Sequence, residues 1–115
     1  MIVEKSKASV ASAVLSVTTP VQKYPMQLCG VYLHSTAGLT DTLSTTKNMI
    51  DRNGTIDAGY STVLEAASLS AATDHVFRPS GKEIILPGET INVTHASTET
   101  ATVGITIVCQ GVRYE

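Results

Sequence analysis

The segment Ala101–Gln110, ATVGITIVCQ, alternates strictly, with Val103, Ile105, Ile107 and Cys109 on one side and Thr102, Gly104, Thr106, Val108 and Gln110 on the other. A period of two marks a strand with one buried face. No long amphipathic helix pattern balances it elsewhere. Short apolar runs recur instead, each closed by turn residues. Val10–Val17 ends at Thr18-Thr19-Pro20, Met26–Ser35 runs out at Gly38, and Leu39–Ile50 enters Asp51-Arg52-Asn53-Gly54. Asn-Gly supplies the positive φ values that a tight turn needs.

Met26–Ser35, MQLCGVYLHS, is ten mostly apolar residues around Gly30, which suits a strand buried on both faces or one bent by a bulge. Helix competes only over Tyr60–Leu69, where Leu64, Glu65, Ala66 and Ala67 are good helix formers. Strand is preferred for Tyr60–Glu65, with Tyr60, Thr62 and Leu64 opposite Ser61, Val63 and Glu65. Asp74–Arg78 and Lys82–Leu86 are shorter candidates, and Pro87-Gly88-Glu89 separates the latter from the strand TINVTH. The pattern predicts an all-β chain of seven or eight short strands in an antiparallel β-sandwich. Alternating βα units are absent, which argues against a parallel sheet with a phosphate-binding loop.

At 115 residues the chain fits one domain. Residues 10–115 are expected to form it. Met1–Ser9 carries Glu4, Lys5 and Lys7 with little periodicity and is read as an N-terminal arm extending from the body. Only 16% of residues are charged, against about 25% in a typical soluble domain, while Ser and Thr supply 27 of the 115. A net charge of -2 offers no basic footprint for phosphates, so nucleic acid is not an expected partner. No apolar run approaches the ~20 residues of a membrane span, and no signal-type apolar stretch follows Met1–Ser9. A soluble, unprocessed chain with no membrane contact is therefore expected.

The residues that carry chemistry elsewhere do not assemble into a motif here. Cys29 and Cys109 both lie in apolar segments and read as buried thiols, a bridge between them being the alternative. His34, His75 and His95 sit in or beside strands. Two of them meeting across a sheet, with Asp74 or Cys29, would make a metal site, but none are at ligand spacing. Asp51, Asn53, Thr55 and Asp57 resemble part of a calcium loop without its closing acid, and an Asn-Gly turn explains the same residues. No GxSxG elbow occurs and the carboxylates are scattered, so neither a triad nor a glycosidase pair can be named. Asn53-Gly-Thr and Asn92-Val-Thr match a glycosylation pattern that is frequent by chance in a Thr-rich chain. Arg78, beside Phe77 and Pro79, reads as a turn residue or a surface contact. No catalytic, cofactor-binding or metal-binding residue is assigned, and no enzyme is expected.

The succession GVYLHSTAG, a Thr-rich strand, Asp51-Arg-Asn-Gly, Tyr60-Ser-Thr-Val-Leu, Val76-Phe-Arg-Pro, Glu83-Ile-Ile-Leu-Pro-Gly-Glu-Thr-Ile-Asn-Val and Val103-Gly-Ile-Thr-Ile-Val resembles small jelly-roll virion proteins of tailed bacteriophages. The resemblance covers about Pro25 to Val112. Its most specific part is ILPGETINV, which resembles a turn between two strands capped by an acid, with Glu89 standing where Asp is usual. It implies a jelly-roll-like, non-enzymatic protein located in the virion. The implied role is capsid decoration or cement, bound to the major capsid protein or another virion protein. A homo-oligomer, with a trimer favoured, is implied too.

Two other classes compete. A glycan- or receptor-binding module on a phage tail or surface protein would use exposed aromatics, for which Tyr24, Tyr32, Tyr60 and Tyr114 are the candidates. A cupin-like metal enzyme would centre on His34, His75 or His95, but lacks the close His pair and Glu of that site.

Overall fold

The computed structural model describes the backbone of residues 2–10, 14–21, 23–50, 55–96 and 102–112, and side chains within 15–21, 23–50, 55, 59–95 and 102–112. Among these residues there are nine strands: β1 (Ile2–Val10), β2 (Val14–Thr18), β3 (Met26–Leu39), β4 (Thr42–Ile50), β5 (Ile56–Ser68), β6 (Ala72–Phe77), β7 (Glu83–Ile85), β8 (Glu89–Ala96) and β9 (Thr102–Gly111). They form two antiparallel sheets. Sheet A runs β1-β9-β3-β6, with β7 also paired to β3, and sheet B runs β2-β8-β4-β5.

The order follows from four nested pairs, β1 with β9, β2 with β8, β3 with β6 and β4 with β5. Rolling that ribbon over brings β9 against β3 and β8 against β4. This is the jelly-roll winding, with β1 and β6 at the edges of sheet A and β2 and β5 at those of sheet B. One count differs from expectation: nine strands stand where seven or eight were read. The excess comes from Ile2–Val10, which was expected to be an arm.

That segment is a strand of sheet A, paired residue for residue with β9 from Ile2↔Gln110 to Val10↔Thr102. The physical reason is that β9 would otherwise present an open edge of unpaired backbone groups. Removing Met1–Ser9 therefore strips β9 of its outer neighbour.

Alternation aims the apolar residues inward. Val31 and Leu33 of β3 and Ile105 and Ile107 of β9 face Leu15, Leu43, Ile91 and Val93 of sheet B, and all are buried. Between Leu28 and Gly30 the register with β9 shifts, so Cys29 is an inserted residue. The bulge changes the phase of β3: Met26 and Leu28 face inward before it, Val31 and Leu33 after it. This answers the choice posed by the sequence in favour of a bend. The strand also continues through Gly38, where it was expected to stop, because Gly38 lies beneath the β5–β6 turn. A Cβ there would stand 2.7 Å from the Ala71 carbonyl oxygen.

That turn has no glycine or asparagine. Ser70 and Ala71 take φ values of 49° and 67°, and the Ala72 amide donates to the Leu69 carbonyl at 2.9 Å. The helix alternative for Tyr60–Leu69 is not realised: strand β5 runs through Ser68 and meets β4 with irregular register. Pro87-Gly88 joins β7 of sheet A to β8 of sheet B, so it is a crossing between sheets and not a hairpin. Gly88 adopts φ 89°, as the third residue of a turn with Pro at the second position requires. The Glu89 carboxylate closes the turn by accepting from the Leu86 amide at 2.8 Å, while the Glu89 amide donates to the Leu86 carbonyl at 2.9 Å. The acid cap implied by ILPGETINV is thus in place.

Candidate functional site: the two outer faces of the sandwich

The same alternation that buries the core fixes what each sheet shows outside. On sheet B, two cross-strand rows are set by register: Ser16, Thr94 and Ser44, then Thr18, Asn92 and Thr46. β-branched Thr favours strands, so these positions support the sheet without introducing charge. Asn92 ties the rows together, its amide nitrogen donating to Ser16 Oγ at 2.9 Å and to Thr18 Oγ1 at 2.7 Å. Its amide oxygen accepts from Thr94 Oγ1 at 2.8 Å. The Asn92-Val-Thr pattern is therefore occupied by internal bonding within a strand. Among the described residues, no ionisable side chain lies in these rows or beside them on β5, where Val63 and Ala66 continue them outward.

Lys47 and Glu65 of sheet B turn the other way, toward the open rim. Lys47 of β4 pairs with Glu83 of β7 at 3.0 Å, and Glu65 of β5 accepts from His75 Nε2 of β6 at 2.7 Å. Each pair links the two sheets across the edge. A small cleft of about 230 Å³ lies there, walled in part by Leu64 and Phe77.

Sheet A is built differently. Its register sets Val76, Tyr32 and Thr106 in one row and Asp74, His34 and Gly104 in the next. His34 Nδ1 donates to Asp74 Oδ1 at 2.7 Å, and Thr73 Oγ1 donates to Asp74 Oδ2 at 2.9 Å. These two hydrogen bonds, His34 first, hold the Asp74 carboxyl below its ordinary range, so it is an ionised acceptor at neutral pH. Tyr32 lies back along the strand: a Cβ on Gly30 would stand 2.9 Å from its Cε2 and hydroxyl. The Arg78 guanidinium sits 5.8 Å from the ring centroid. Because Gly104 has no side chain, a groove of about 260 Å³ opens between Tyr32, His34, Asp74 and Val76.

The residues singled out in the sequence are thus scattered. His34 and His75 do not meet, since Leu33, not His34, is the register partner of His75. His95 is fully buried between its neighbours Leu15 and Leu43, and neither ring nitrogen has a hydrogen-bond partner. No group of three His, Cys, Asp or Glu side chains comes together among the described residues. Cys29 and Cys109 are free thiols; burial, with the Cys29 thiol nearby, pushes Cys109 up to about 11. Tyr24 and Tyr60 are exposed singly. Tyr114, the Asn53-Gly54 turn and the Asp57 side chain, with most of the polar stretch Ser97–Thr102, lie outside the described residues. Sequence reasoning missed Val76, Gly104 and Thr106 as groove residues, because only strand register brings them to Tyr32 and His34.

No protein-family model matches this sequence, and no curated protein matches it. Among solved structures, the chain is similar to that of the infectious bursal disease virus Gx strain at 12% identity and a TM-score of 0.46, over 96% of this chain and 32% of that one. It is also similar to a family 16 carbohydrate-binding module at 13% identity and a TM-score of 0.41, over 85% of this chain and 70% of the other. A third is the enzymatically active domain of bacteriophage CBA120 tailspike protein 4, at 12% identity and 0.45, over 97% of this chain and 19% of that one. These likenesses assign neither activity nor partner.

Proposed function

We propose that this protein is a non-enzymatic structural protein of a phage virion, a decoration or cement protein that seats the outer face of sheet B on the major capsid protein and assembles as a homo-oligomer, as a trimer in the expected form. The observation that carries this reading is that, among the described residues, the outer rows of sheet B hold no ionisable side chain. Two rows of Ser, Thr and Asn side chains can be covered by another protein without desolvating an ion, which is the expensive part of burying a polar surface. The jelly-roll winding and the capped ILPGETINV turn agree with the virion proteins that the sequence resembles.

The test is occupancy on purified particles. Wild-type protein is expected at a constant ratio to the capsid protein, and a Ser44→Glu, Thr46→Glu double variant is expected to be lost from particles while keeping its circular dichroism spectrum. Absence of the wild-type chain from particles would discard the virion role. Full retention of the double variant would discard sheet B as the seat.

A further inference from the structure

We propose that the groove on the outer face of sheet A binds one pyranose ring of a glycan, with Tyr32 and Val76 against the ring and Asp74 and His34 at its hydroxyls. The inference uses the opposite face from the assembly surface and does not rest on it.

The first argument is shape. Three adjacent strands set two rows of side chains side by side, and the missing side chain at Gly104 turns the second row into a depression of about 260 Å³. This is smaller than the ~300–1,000 Å³ of pockets for drug-sized ligands. A ring-sized ligand fits such a space; a folded partner does not need it. Tyr32 borders one end of this depression, its ring lying back along the strand over Gly30. Any Cβ at position 30 would meet the ring at 2.9 Å and lift it.

The second argument is the kind of polar groups at the rim. A pyranose has an apolar face of C–H groups edged by hydroxyls that both donate and accept. Asp74 offers an acceptor carboxylate, already oriented by His34 and Thr73. Because His34 gives its Nδ1 proton to Asp74, its second ring nitrogen remains an acceptor when the ring is neutral. Thr106 adds a hydroxyl to the lining, and Arg78 lies outside it, over the Tyr32 ring at 5.8 Å. Among the described residues the lining holds the Asp74 carboxylate and no Lys or Arg, so the groove does not favour a phosphate.

The third argument excludes an extended peptide. Both edges of β3 are hydrogen-bonded over this stretch, to β9 on one side and β6 on the other. Strand addition needs a free backbone edge; β6 has one on its outer side, but the floor of the groove over β3 and β9 offers side chains only.

The experiment is binding of biotinylated full-length protein, tetramerised on streptavidin, to a printed array of neutral, N-acetylated and acidic oligosaccharides. Multivalent display is needed because a single ring contributes little affinity. We expect binding to a set of glycans that share one terminal ring, inhibited by the methyl glycoside of that sugar. Asp74→Asn is expected to reduce it at least about tenfold, since a hydrogen bond to an ionised acceptor is lost. Asp74 is exposed, so this variant should fold, checked by an unchanged thermal midpoint. Tyr32→Leu should abolish binding, and Thr46→Glu on sheet B should not alter it. No glycan bound above the Asp74→Asn background would overturn the proposal. So would binding that Asp74→Asn leaves intact, or self-association of the chain that Asp74→Asn removes.

Discussion

The two sheets of this sandwich divide their polar groups in opposite ways. Sheet A presents Asp74, His34, Arg78 and Tyr32 outside and keeps Val31, Leu33, Ile105 and Ile107 inside. Sheet B presents hydroxyls, amides and the apolar Val63 and Ala66 in its outer rows, yet carries His95 and the Thr45 hydroxyl inside without hydrogen-bond partners. An ionisable group on a sheet face is easily solvated and suits recognition of a small polar ligand. A face without ions suits broad coverage by protein. The same fold therefore offers two surfaces of different chemistry, and the buried His95 and Thr45 side chains without hydrogen-bond partners lie behind the uncharged one.

The largest effect should come from the apolar side of that division. Ile107 is fully buried, and Ile107→Ala should destabilise the protein by about 2–5 kcal/mol, the range for removing a large aliphatic side chain from a core. Urea unfolding measures it, and a loss below about 1 kcal/mol would show that sheet A is not the tightly packed half.

Cys109 lies in the same layer and gives it a pH signature. Its folded value, raised to about 11 by burial, lies above the ordinary value of 9.0. The folded state therefore holds the thiol proton more tightly than the unfolded state does. Its stabilising contribution is complete below pH 9 and is lost as pH rises toward 11, by on the order of 2–3 kcal/mol. Cys109→Val should flatten the stability slope over that window, read as the pH dependence of the urea midpoint; an unchanged slope would assign it to other groups.

On sheet B the sign reverses. Thr45 is fully buried on the inner side of β4 and its Oγ1 has no partner. Thr45→Val keeps the shape and removes the unsatisfied hydroxyl, so it should stabilise by about 1 kcal/mol. A destabilised variant would show that the hydroxyl is satisfied in solution. A gain of similar or smaller size, about 0.5–1 kcal/mol, is expected for Ala71→Gly in the turn between the sheets, where φ of 67° strains any residue with a Cβ. Thermal unfolding of both variants against wild type ranks them.

How much of this was readable beforehand depends on whether the cause was local. The alternation of Ala101–Gln110 and the Pro87-Gly88-Glu89 punctuation are local, and both features are present as expected. Ile2–Val10 was misread because its partner β9 lies about a hundred residues away, and nothing within the segment announces the pairing. The Ser70-Ala71 turn lacks the residues that normally signal positive φ; the Leu39 carbonyl helps hold it by accepting from the Ala71 amide at 2.7 Å. Serine and threonine richness was plain in the composition, but only register shows that these residues line one face. Tyr32, His34, Asp74 and Arg78 were each noticed singly. Forty residues separate His34 from Asp74, and the β3–β6 register is what joins them.

That junction yields the smallest expected effect, and it bears on the contrast between the faces. Asp74 titrates below 3.8 because it accepts hydrogen bonds from His34 and then Thr73. A carboxyl with a lowered folded value stabilises above its unfolded value and loses that contribution as pH falls through the folded one. The pair is exposed on both sides, so solvent screens it and the change in stability should be slight. The carboxylate itself is the better reporter. An NMR titration should place the Asp74 midpoint below 3.8 in wild type and return it toward that value in His34→Ala, with a smaller return in Thr73→Val. The outer rows of sheet B contain nothing to titrate, so amides of Ser44, Thr46 and Asn92 should stay still over the same acid range. Movement of both faces together would mean that the acid response is global, and the separation between a recognising and a covered surface would fail.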